Sequence, residues 1–302
     1  MKVLLLDNWS EKAREIISDN FIGSDDILPT KDVDGVIIGL NQSFNMSVLT
    51  GLKFIASCTT GLDHIDTEYC KAKGIKIISL QGETEFLQDV WATAEHTWGL
   101  IMSLVRKIPF AYNDVCAGNW EREAWQGTEL RGKTLGIVGY GRVGRQVKYL
   151  TERSFKEVIW YDKKNWEGNA QCKCCKGHSL DYVLQNSDII TVHVPLNDET
   201  RGMFGAKEFA MMKPGAYFIN TSRGAVVDEE ALINALFNSQ IAGAALDVVC
   251  NEPNIYEPLR EYAAHQKNLI ITSHIAGNTA ESREKTQLFI ANKIKDFIQG
   301  GG

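Results

Sequence analysis

Three side chains of complementary chemistry follow three successive strand-like runs in the second half of this chain. A guanidinium can bind a carboxylate through two parallel hydrogen bonds, and an imidazole can give or take a proton near neutral pH. A carboxylate on the other ring nitrogen can orient that imidazole and favour its protonated form. Because the carboxyl ends of parallel strands meet at one edge of a sheet, we expect the three groups to lie close together. They are Arg223 after Ala216–Asn220, Glu252 after Gly243–Val248 and His274 after Leu269–Thr272.

A glycine-rich turn lies upstream, after the apolar run Leu135–Val138. Gly139 permits a sharp exit from a strand, Gly141 allows backbone to approach a pyrophosphate, and Gly144 allows a helix to pack closely on the strand. The N-terminus of that helix offers unpaired N–H groups to phosphates. Asp162 ends the next strand-like run 18 positions after Gly144, near the spacing of about 20 for an acid that binds the adenosine ribose. The pattern predicts a dinucleotide-binding site.

The predicted cofactor is NAD, with NADP less favoured. An acid at the position of Asp162 repels the 2′-phosphate of NADP. Lys163 and Lys164 follow directly and could soften this repulsion, so the sequence predicts a preference and not exclusivity. Together with a nicotinamide, a guanidinium, a carboxylate and an imidazole are the groups that reversible hydride transfer to a 2-oxo acid requires.

The length and charge of the chain exclude several classes of function. Its 302 residues favour two domains, since single cores stop growing near ~250–300 residues. The net charge is −6, and no run of lysine or arginine forms a basic stripe, so neither nucleic acid nor a membrane is expected as a partner. The apolar start Met1–Asp7 is too short for a signal peptide, and the seven cysteines lack the spacing of a small disulfide-bonded domain. We expect a cytoplasmic protein.

Alternating strand-like and helix-like segments must position these groups. The first half indicates a small α/β domain, with helices over Trp9–Ser18 and Thr67–Lys73. One long helix over Val90–Val115 is expected to bridge the two halves, and six strands in the second half predict a doubly wound parallel sheet of order 3-2-1-4-5-6. The predicted strands are Val3–Leu6, Gly35–Gly39, Phe54–Ser57 and Lys76–Leu80, then Leu135–Val138, Val158–Asp162, Asp188–Val194, Ala216–Asn220, Gly243–Val248 and Leu269–Thr272.

Six stretches spread along nearly the whole chain carry a family resemblance. They are 59–66 (TTGLDHID), 94–97 (AEHT), 130–139 (LRGKTLGIVG), 193–196 (HVPL), 220–224 (NTSRG) and 246–248 (LDV). On these motifs the chain resembles the D-isomer-specific 2-hydroxyacid dehydrogenases, in particular their phosphoglycerate dehydrogenase-like branch. The resemblance implies an α/β protein of two Rossmann-like domains: a doubly wound parallel sheet for NAD and a smaller flavodoxin-like substrate domain, with the active site in the cleft between them. It implies a discontinuous substrate-binding domain, 1–93 with 280–302, and an NAD-binding domain over 94–279.

The resemblance also implies an activity and a role for each group. The activity is NAD-dependent hydride transfer between nicotinamide and a small D-2-hydroxy acid or its 2-oxo form, in a homodimer whose interface includes the long helix. Arg223 would anchor the substrate carboxylate, and His274, paired with Glu252, would be the general acid/base. Thr60 and Gly61 would complete the substrate site with backbone N–H groups. The predicted cofactor-binding residues are Gly139, Tyr140, Gly141, Arg142, Val143, Gly144, Asp162, His193, Pro195, Thr200, Thr221, Ser222, Arg223, Asp247, His274, Ala276 and Gly277.

Two further histidines compete with His274 for the role of the acid. His96 lies on the long helix, where a hydrogen-bonded packing role is favoured. His193 follows the third strand of the second half, which the order 3-2-1-4-5-6 places on the adenosine side, away from the nicotinamide. His274 is therefore the predicted acid.

Two other clusters have both a functional and a structural interpretation. Cys172 and Cys175 have C-x₂-C spacing and His178 lies nearby, but a second ligand pair is missing, so no metal site is predicted. Trp120 and Trp125 either wall a substrate pocket or pack in an interface between domains or subunits.

The chain departs from the family pattern in two places. The connection Leu80–Ala94 is longer than usual, and Glu83 and Glu85 would disfavour a multiply anionic substrate if they faced it. The segment Ser57–Thr59 lacks the basic residue that phosphoglycerate dehydrogenases often carry beside the Thr-Gly turn, so a phosphorylated substrate is less favoured. The alternative to an enzyme is an NAD(H)-sensing scaffold, similar to the corepressors built on this fold.

Overall fold

The computed structural model describes residues 2–17, 21–22, 33–40, 46–163 and 177–300. The chain divides into two compact units. Unit 1 comprises Met1–Val90 together with Thr279–Gly302, and unit 2 comprises Trp91–Asn278. Within the described ranges, every helix is too short or too polar to serve as a transmembrane segment.

Unit 1 contains a parallel sheet of strand order β2-β1-β3-β4-β5, the order of flavodoxin-like folds. This is the smaller sheet that the sequence predicted, with one addition: the two-residue strand β2 was not expected, because two residues carry no periodicity. The strands are β1 (Val3–Leu5), β2 (Phe21–Ile22), β3 (Gly35–Ile37), β4 (Phe54–Ala56) and β5 (Lys76–Ile78), and the helices are α1 (Glu11–Ile17), α2 (Thr67–Lys73) and α10 (Ala280–Gln299).

The helix α10 belongs to unit 1 although it lies at the other end of the sequence. Its Ile290, Ala291 and Ile294 are fully buried, in one apolar cluster with Ala13 of α1 and Phe54 of β4. Periodicity shows that α10 is amphipathic but not which sheet it covers; in the sequence, only the family resemblance joins 280–302 to the first half of the chain.

Unit 2 contains a six-stranded parallel sheet of order β11-β10-β9-β8-β6-β7. Apolar clusters lie on both faces, one under α6 to α8 and the other under α3 and α5. The strands are β6 (Thr134–Val138), β7 (Glu157–Tyr161), β8 (Ile189–Val192), β9 (Ala216–Asn220), β10 (Ile241–Leu246) and β11 (Leu269–Ile271); the helices are α3 (Ala92–Val105), α4 (Ile108–Cys116), α5 (Arg142–Thr151), α6 (Leu180–Asn186), α7 (Ala206–Met211), α8 (Glu229–Phe237) and α9 (Glu257–His265).

The predicted order 3-2-1-4-5-6 is wrong for these six strands. The run taken as the third strand, β8, lies between β6 and β9 and not outside β7. The place outside β7 is held by an isolated parallel bridge between Trp160 and Gly177. A single bridging glycine gives no apolar run, so counting apolar runs assigned β8 the wrong side of the sheet.

The predicted long helix over 90–115 is two helices, α3 and α4. Between them Lys107 has a left-handed backbone (φ 54°), and Pro109 lies in the first turn of α4. A proline inside a continuous helix would clash with the carbonyl four residues earlier, which belongs to Val105. That carbonyl instead accepts a hydrogen bond from the amide of Thr128 at 2.9 Å.

Candidate active site

The loop after β9 is shaped by the side chain of Asn220. The amide and hydroxyl of Ser222 donate to Asn220 Oδ1 at 2.9 and 2.7 Å. Asn220 Nδ2 in turn donates to the carbonyl oxygen of Arg223 at 2.9 Å. Arg223 is half-buried, and its Nη1 donates to the carbonyl oxygen of Ser222 at 2.7 Å. The guanidinium is therefore held close to the strand end.

The loop after β10 carries Glu252 and is packed against the loop after β9. One oxygen of Glu252, Oε1, accepts a hydrogen bond from the amide of Val249 at 2.9 Å. A Cβ on Gly224 would lie 2.0 Å from the carbonyl carbon of Val249 and 2.5 Å from the amide nitrogen of Cys250, so only glycine allows this approach. The glycine that follows Arg223 thus brings two of the three functional loops into contact.

His274 and Glu252 form the pair that the sequence predicts. His274 Nδ1 lies 2.6 Å from Glu252 Oε2, and both side chains are mostly buried, with 16% and 24% exposed. His274 has a left-handed backbone (φ 54°), and its amide donates to the carbonyl oxygen of Asp247 at 2.8 Å. Because a carboxylate only accepts, Nδ1 carries the proton of this bond and Nε2 is the nitrogen available for proton exchange.

Asp247 holds the loop after β11 in place. Its carboxylate accepts hydrogen bonds from the hydroxyl of Thr272 at 2.6 Å and from the amides of Ile275 and Ala276 at 2.9 and 2.8 Å. His96 Nε2 lies 3.3 Å from the same carboxylate. Burial alone would raise the pKa of Asp247, but the hydrogen bonds from His96, Thr272 and the two amides outweigh it and lower the pKa. His96 therefore has the hydrogen-bonded packing position that was favoured for it.

The glycine-rich turn has the geometry that its sequence indicates. Gly139 has φ 93°, and a Cβ on Gly144 would lie 2.3 Å from the carbonyl oxygen of Gly139. A Cβ on Gly141 would meet no atom within 4 Å. Asp162 Oδ2 accepts a hydrogen bond from the amide of Tyr140 at 2.8 Å. The acid at the end of β7 is thus fixed beside the turn, and the space over Gly141 is open.

Two cations lie near this turn. Arg142 begins α5, and its Nη1 donates to Gln146 Oε1 at 3.2 Å; burial lowers the pKa of its guanidinium. Lys163 pairs with Glu199, with Nζ 2.5 Å from each carboxylate oxygen. This ion pair offsets the positive charge that follows Asp162, while Lys164 lies outside the described residues.

His193 lies at the end of β8, next to β9, which corrects its expected position on the adenosine side. Its Nδ1 is 3.5 Å from the hydroxyl of Thr221, which is itself 2.9 Å from the hydroxyl of Thr97. Burial lowers the pKa of His193 to about 3. Its Nε2 is buried and has no hydrogen-bond partner among the described residues. The imidazole is therefore neutral at physiological pH, which disfavours it as a general acid.

The remaining predicted cofactor residues lie in the loops after β8 and β11 and at the start of α5. Thr200 donates through its hydroxyl to the carbonyl oxygen of Pro195 at 2.6 Å, closing the loop after β8. Val143 is half-buried in the first turn of α5, and Gly277 is exposed after β11, where a Cβ would meet no atom within 4 Å.

In unit 1 the loop after β4 is ordered by its own hydroxyl groups. The hydroxyl of Ser57 lies 3.0 Å from the hydroxyl of Thr59 and 3.1 Å from His64 Nε2. Thr59 Oγ1 donates to the carbonyl oxygen of Gly61 at 2.8 Å. The amides of Thr60 and Gly61 donate no hydrogen bond within the described ranges, so this loop presents two unused donors.

The long connection after β5 packs within unit 1. Glu83 forms an ion pair with Lys293 of α10, and the ring of Phe86 stacks on Phe289 with centroids 4.0 Å apart. Lys285 donates to the carbonyl oxygen of Asp89 at 3.2 Å. The charge of Glu83 is therefore paired, which weakens its expected role against anionic substrates.

The other clusters that the sequence singled out form no second site in the described part of the chain. Cys172 and Cys175 lie outside the described residues, and the ring of His178 stacks on Tyr182 with centroids 4.1 Å apart. No group of three or more potential metal ligands occurs among the residues described. Trp125 Nε1 donates to Asp114 at 2.9 Å and thus packs on α4.

Comparison with known proteins identifies the class to which this arrangement belongs. Residues 98–276, more than half of the chain, match the family described as D-isomer specific 2-hydroxyacid dehydrogenase, NAD binding domain. The chain belongs to the D-isomer-specific 2-hydroxyacid dehydrogenase family. The predicted family, fold class and NAD cofactor are thereby confirmed.

Several relatives show the range of this family. A D-3-phosphoglycerate dehydrogenase of Synechocystis sp. is 36% identical over 82% of this chain and 43% of its own length. A glyoxylate reductase of Aeropyrum pernix is 37% identical over 82% of this chain and 74% of its own. Among solved structures, a D-lactate dehydrogenase from Aquifex aeolicus, complexed with NAD and lactic acid, superposes with a TM-score of 0.85 at 28% identity, covering 99% of this chain and 96% of that one. The chain spans about half the length of the D-3-phosphoglycerate dehydrogenases that it matches.

Proposed function

We propose that this protein is an NAD-dependent oxidoreductase that transfers a hydride between nicotinamide and a small D-2-hydroxy acid or its 2-oxo form. The observation that carries the proposal is the 2.6 Å contact between His274 Nδ1 and Glu252 Oε2, at the carboxyl end of the sheet that also carries the glycine turn. Membership of the family supports it.

In this proposal each side chain has one task. Arg223 binds the substrate carboxylate and polarises the neighbouring carbonyl. In the reduction direction, His274 Nε2 gives its proton to the carbonyl oxygen; in the oxidation direction, it takes the proton of the substrate hydroxyl. Glu252 fixes the orientation and the tautomer of the ring through its bond to Nδ1. The bound cofactor supplies or accepts the hydride itself.

The described residues fit a dinucleotide. The open space over Gly141 and the start of α5 suit a pyrophosphate, with Arg142 and Val143 beside it. Asp162 is fixed where it can bind a ribose hydroxyl. The buried, unpartnered Nε2 of His193 is a polar atom that a ligand group would satisfy.

The same geometry favours NAD over NADP. Asp162 and Glu199 bring two carboxylates to this side of the turn, and Lys163 is paired with one of them. A 2′-phosphate would therefore meet the carboxylate of Asp162, while the charge of Lys163 is already paired with Glu199. Lys163 softens the preference less than its sequence position indicates.

For the substrate we propose an unphosphorylated 2-oxo acid. The family resemblance assigns the amides of Thr60 and Gly61 to its carboxylate, and both donors are unused within the described ranges. No lysine or arginine occurs between Ser57 and Asp66, so this loop brings no cation for a phosphate. Similarity to glyoxylate reductase and D-lactate dehydrogenase supports a small substrate. Similarity to D-3-phosphoglycerate dehydrogenase is the reason to test a phosphorylated 2-oxo acid as well.

The proposed assembly is a homodimer formed by α4. Ile108, Tyr112 and Val115 lie at helical spacing on α4 and are 52%, 68% and 50% exposed; Trp120 beyond them is 84% exposed. An exposed apolar stripe of this kind indicates an interaction surface, and a twofold interface pairs one stripe with its copy. Light scattering should give the mass of a dimer, and Tyr112→Glu should give a monomer; a monomeric wild-type protein would contradict the proposal.

The deciding experiment measures NADH oxidation with a panel of 2-oxo acids: glyoxylate, pyruvate, hydroxypyruvate, 2-oxoglutarate, branched 2-oxo acids and phosphohydroxypyruvate. Rapid turnover of an unphosphorylated acid is expected. Fast turnover of phosphohydroxypyruvate alone would overturn the substrate assignment. Negligible turnover of every acid despite tight NADH binding would contradict the enzyme and favour an NAD(H)-sensing scaffold.

A further inference from the structure

One buried carboxylate has no task in the proposed reaction. Glu229 is the first residue of α8 and only 7% exposed. No lysine, arginine or histidine among the described residues forms an ion pair with it. Burial raises the pKa of Glu229, and the nearby charges of Asp228 and Glu252 raise it further, against hydrogen bonds from Cys250 that lower it. Burying an unpaired acid costs free energy, so we expect the contacts of Glu229 to have a function.

The contact that Glu229 makes is with the loop that carries Glu252. Glu229 Oε1 accepts a hydrogen bond from the amide of Cys250 at 2.6 Å. The preceding amide, that of Val249, donates to Glu252 Oε1 at 2.9 Å. Two successive amides of one short turn therefore bind two different carboxylates. Gly224, in the loop after β9, packs closely against the peptide between Val249 and Cys250.

We propose that Glu229 is a positioning residue for Glu252 and, through it, for His274; this inference rests on the proposed function. It acts by fixing the direction of the peptide between Val249 and Cys250, without touching substrate or cofactor. If the Cys250 amide loses its acceptor, the turn relaxes and the Val249 amide no longer holds Glu252 Oε1 in line. The imidazole then loses its fixed orientation.

An ordinary structural role would explain an acid here as well. Acids in the first turn of a helix are stabilised by the unpaired amides and the helix dipole. Glu230 is also in the first turn of α8 but is exposed, and no hydrogen bond or ion pair involves it in the described part of the chain. Glu230 is therefore the matched control, because it lies in the same first turn of the helix and lacks the contact with Cys250.

Two substitutions separate the position of the acceptor from its charge. Glu229→Gln keeps the side-chain length and an acceptor oxygen but removes the charge; Glu229→Asp keeps the charge and withdraws the oxygen by one methylene. We expect Glu229→Asp to lower kcat by about 10- to 100-fold, as expected for an orientation error of about 1 Å, with KM for NADH within about twofold. Glu229→Gln should keep kcat within about threefold of wild type. Glu230→Asp and Glu230→Gln should leave kcat unchanged.

A spectroscopic readout makes the test independent of turnover. In enzyme labelled with ¹⁵N-histidine and saturated with NADH, the Nδ1 proton of His274, assigned with His274→Gln, reports its hydrogen bond to Glu252. It should move upfield or broaden in Glu229→Asp and stay in place in Glu229→Gln. Wild-type behaviour of Glu229→Asp in both kcat and this resonance would overturn the proposal, as would equal loss in the two variants. If the wild-type enzyme reduces no 2-oxo acid, the proposed function fails, while the resonance still decides the role of Glu229.

Discussion

The strand ends of unit 2 form two regions that differ in how far their polar groups are hydrogen-bonded within the protein. At the ends of β9, β10 and β11, functional groups bind each other and nearby backbone: Glu252 uses one oxygen for the Val249 amide and the other for His274. At the ends of β6, β7 and β8, space and hydrogen-bonding capacity remain. Gly141 faces a volume without neighbours within 4 Å of an added Cβ, and His193 Nε2 has no partner among the described residues.

This difference follows from what each region is proposed to do. Proton transfer requires one ring orientation and one tautomer before the substrate arrives, so its hydrogen bonds are made within the protein. Ligand binding requires donors and acceptors that the protein has not already used. Damage to the first region should therefore change kcat, whereas damage to the second should change cofactor binding, cofactor choice or stability.

The largest effect is expected from His274→Gln. Glutamine keeps a polar side chain of similar length but cannot transfer a proton near neutral pH, so kcat should fall by about 10²–10⁴-fold. The NADH dissociation constant should change by less than about threefold, because the lost interaction belongs to the transition state. Stopped-flow fluorescence gives the binding constant, and NADH absorbance gives kcat.

His265→Gln is the control for this prediction. His265 is exposed at the end of α9, and its Nδ1 lies 2.8 Å from the carbonyl oxygen of Glu261. It should leave both constants unchanged. Equal losses of kcat and NADH affinity in His274→Gln would erase the proposed division between the two regions.

A smaller effect is expected from Asp162→Ser in the second region. Removing the carboxylate relieves the repulsion of a 2′-phosphate, so kcat/KM for NADPH relative to NADH should rise by about tenfold, which corresponds to ~1.4 kcal/mol. Asp181→Ser, which removes an exposed acid from the first turn of α6, is the matched control. An unchanged ratio would mean that Asp162 acts only on the Tyr140 amide and not on the cofactor.

The first region was largely predictable from the sequence because its information is local. Arg223, Glu252 and His274 each follow an apolar run within a few residues, and the carboxyl ends of parallel strands share one edge. Gly224 belongs to the motif 220–224, and a glycine directly after a candidate anchor is a signal for close backbone approach. Glu229 gave no signal of this kind, because its partner Cys250 lies 21 positions away and in a different element.

The second region was less predictable because it depends on the order of strands. The isolated bridge at Gly177 lies beside β7, and β8 lies on the other side of β6. His193 at the end of β8 therefore lies beside Thr221. The break between α3 and α4 could have been predicted, since Pro109 cannot continue a helix. A two-residue strand and a one-residue bridge lie below the length at which apolar periodicity carries information.

The last effect concerns stability and not catalysis, and it tests the burial of His193. Its pKa is lowered by burial from 6.5 to about 3, so between these values the unfolded chain binds one proton more than the folded chain. Stability therefore falls as the pH drops through this window, with a slope of at most about 1.4 kcal/mol per pH unit. In His193→Gln the urea midpoint should depend less on pH between about pH 6 and about pH 4 than in wild type.

The titration of Asp247 does not affect the difference in pH dependence between wild type and His193→Gln. Its lowered pKa also removes stability as the pH falls, because a carboxylate with a depressed pKa in the fold must be protonated against its hydrogen bonds. That loss occurs in wild type and in His193→Gln alike, and it cancels in the difference between them. Identical pH dependence of the two proteins would mean that the His193 ring is protonated within the fold, and the unpartnered Nε2 would then belong to a charged ring.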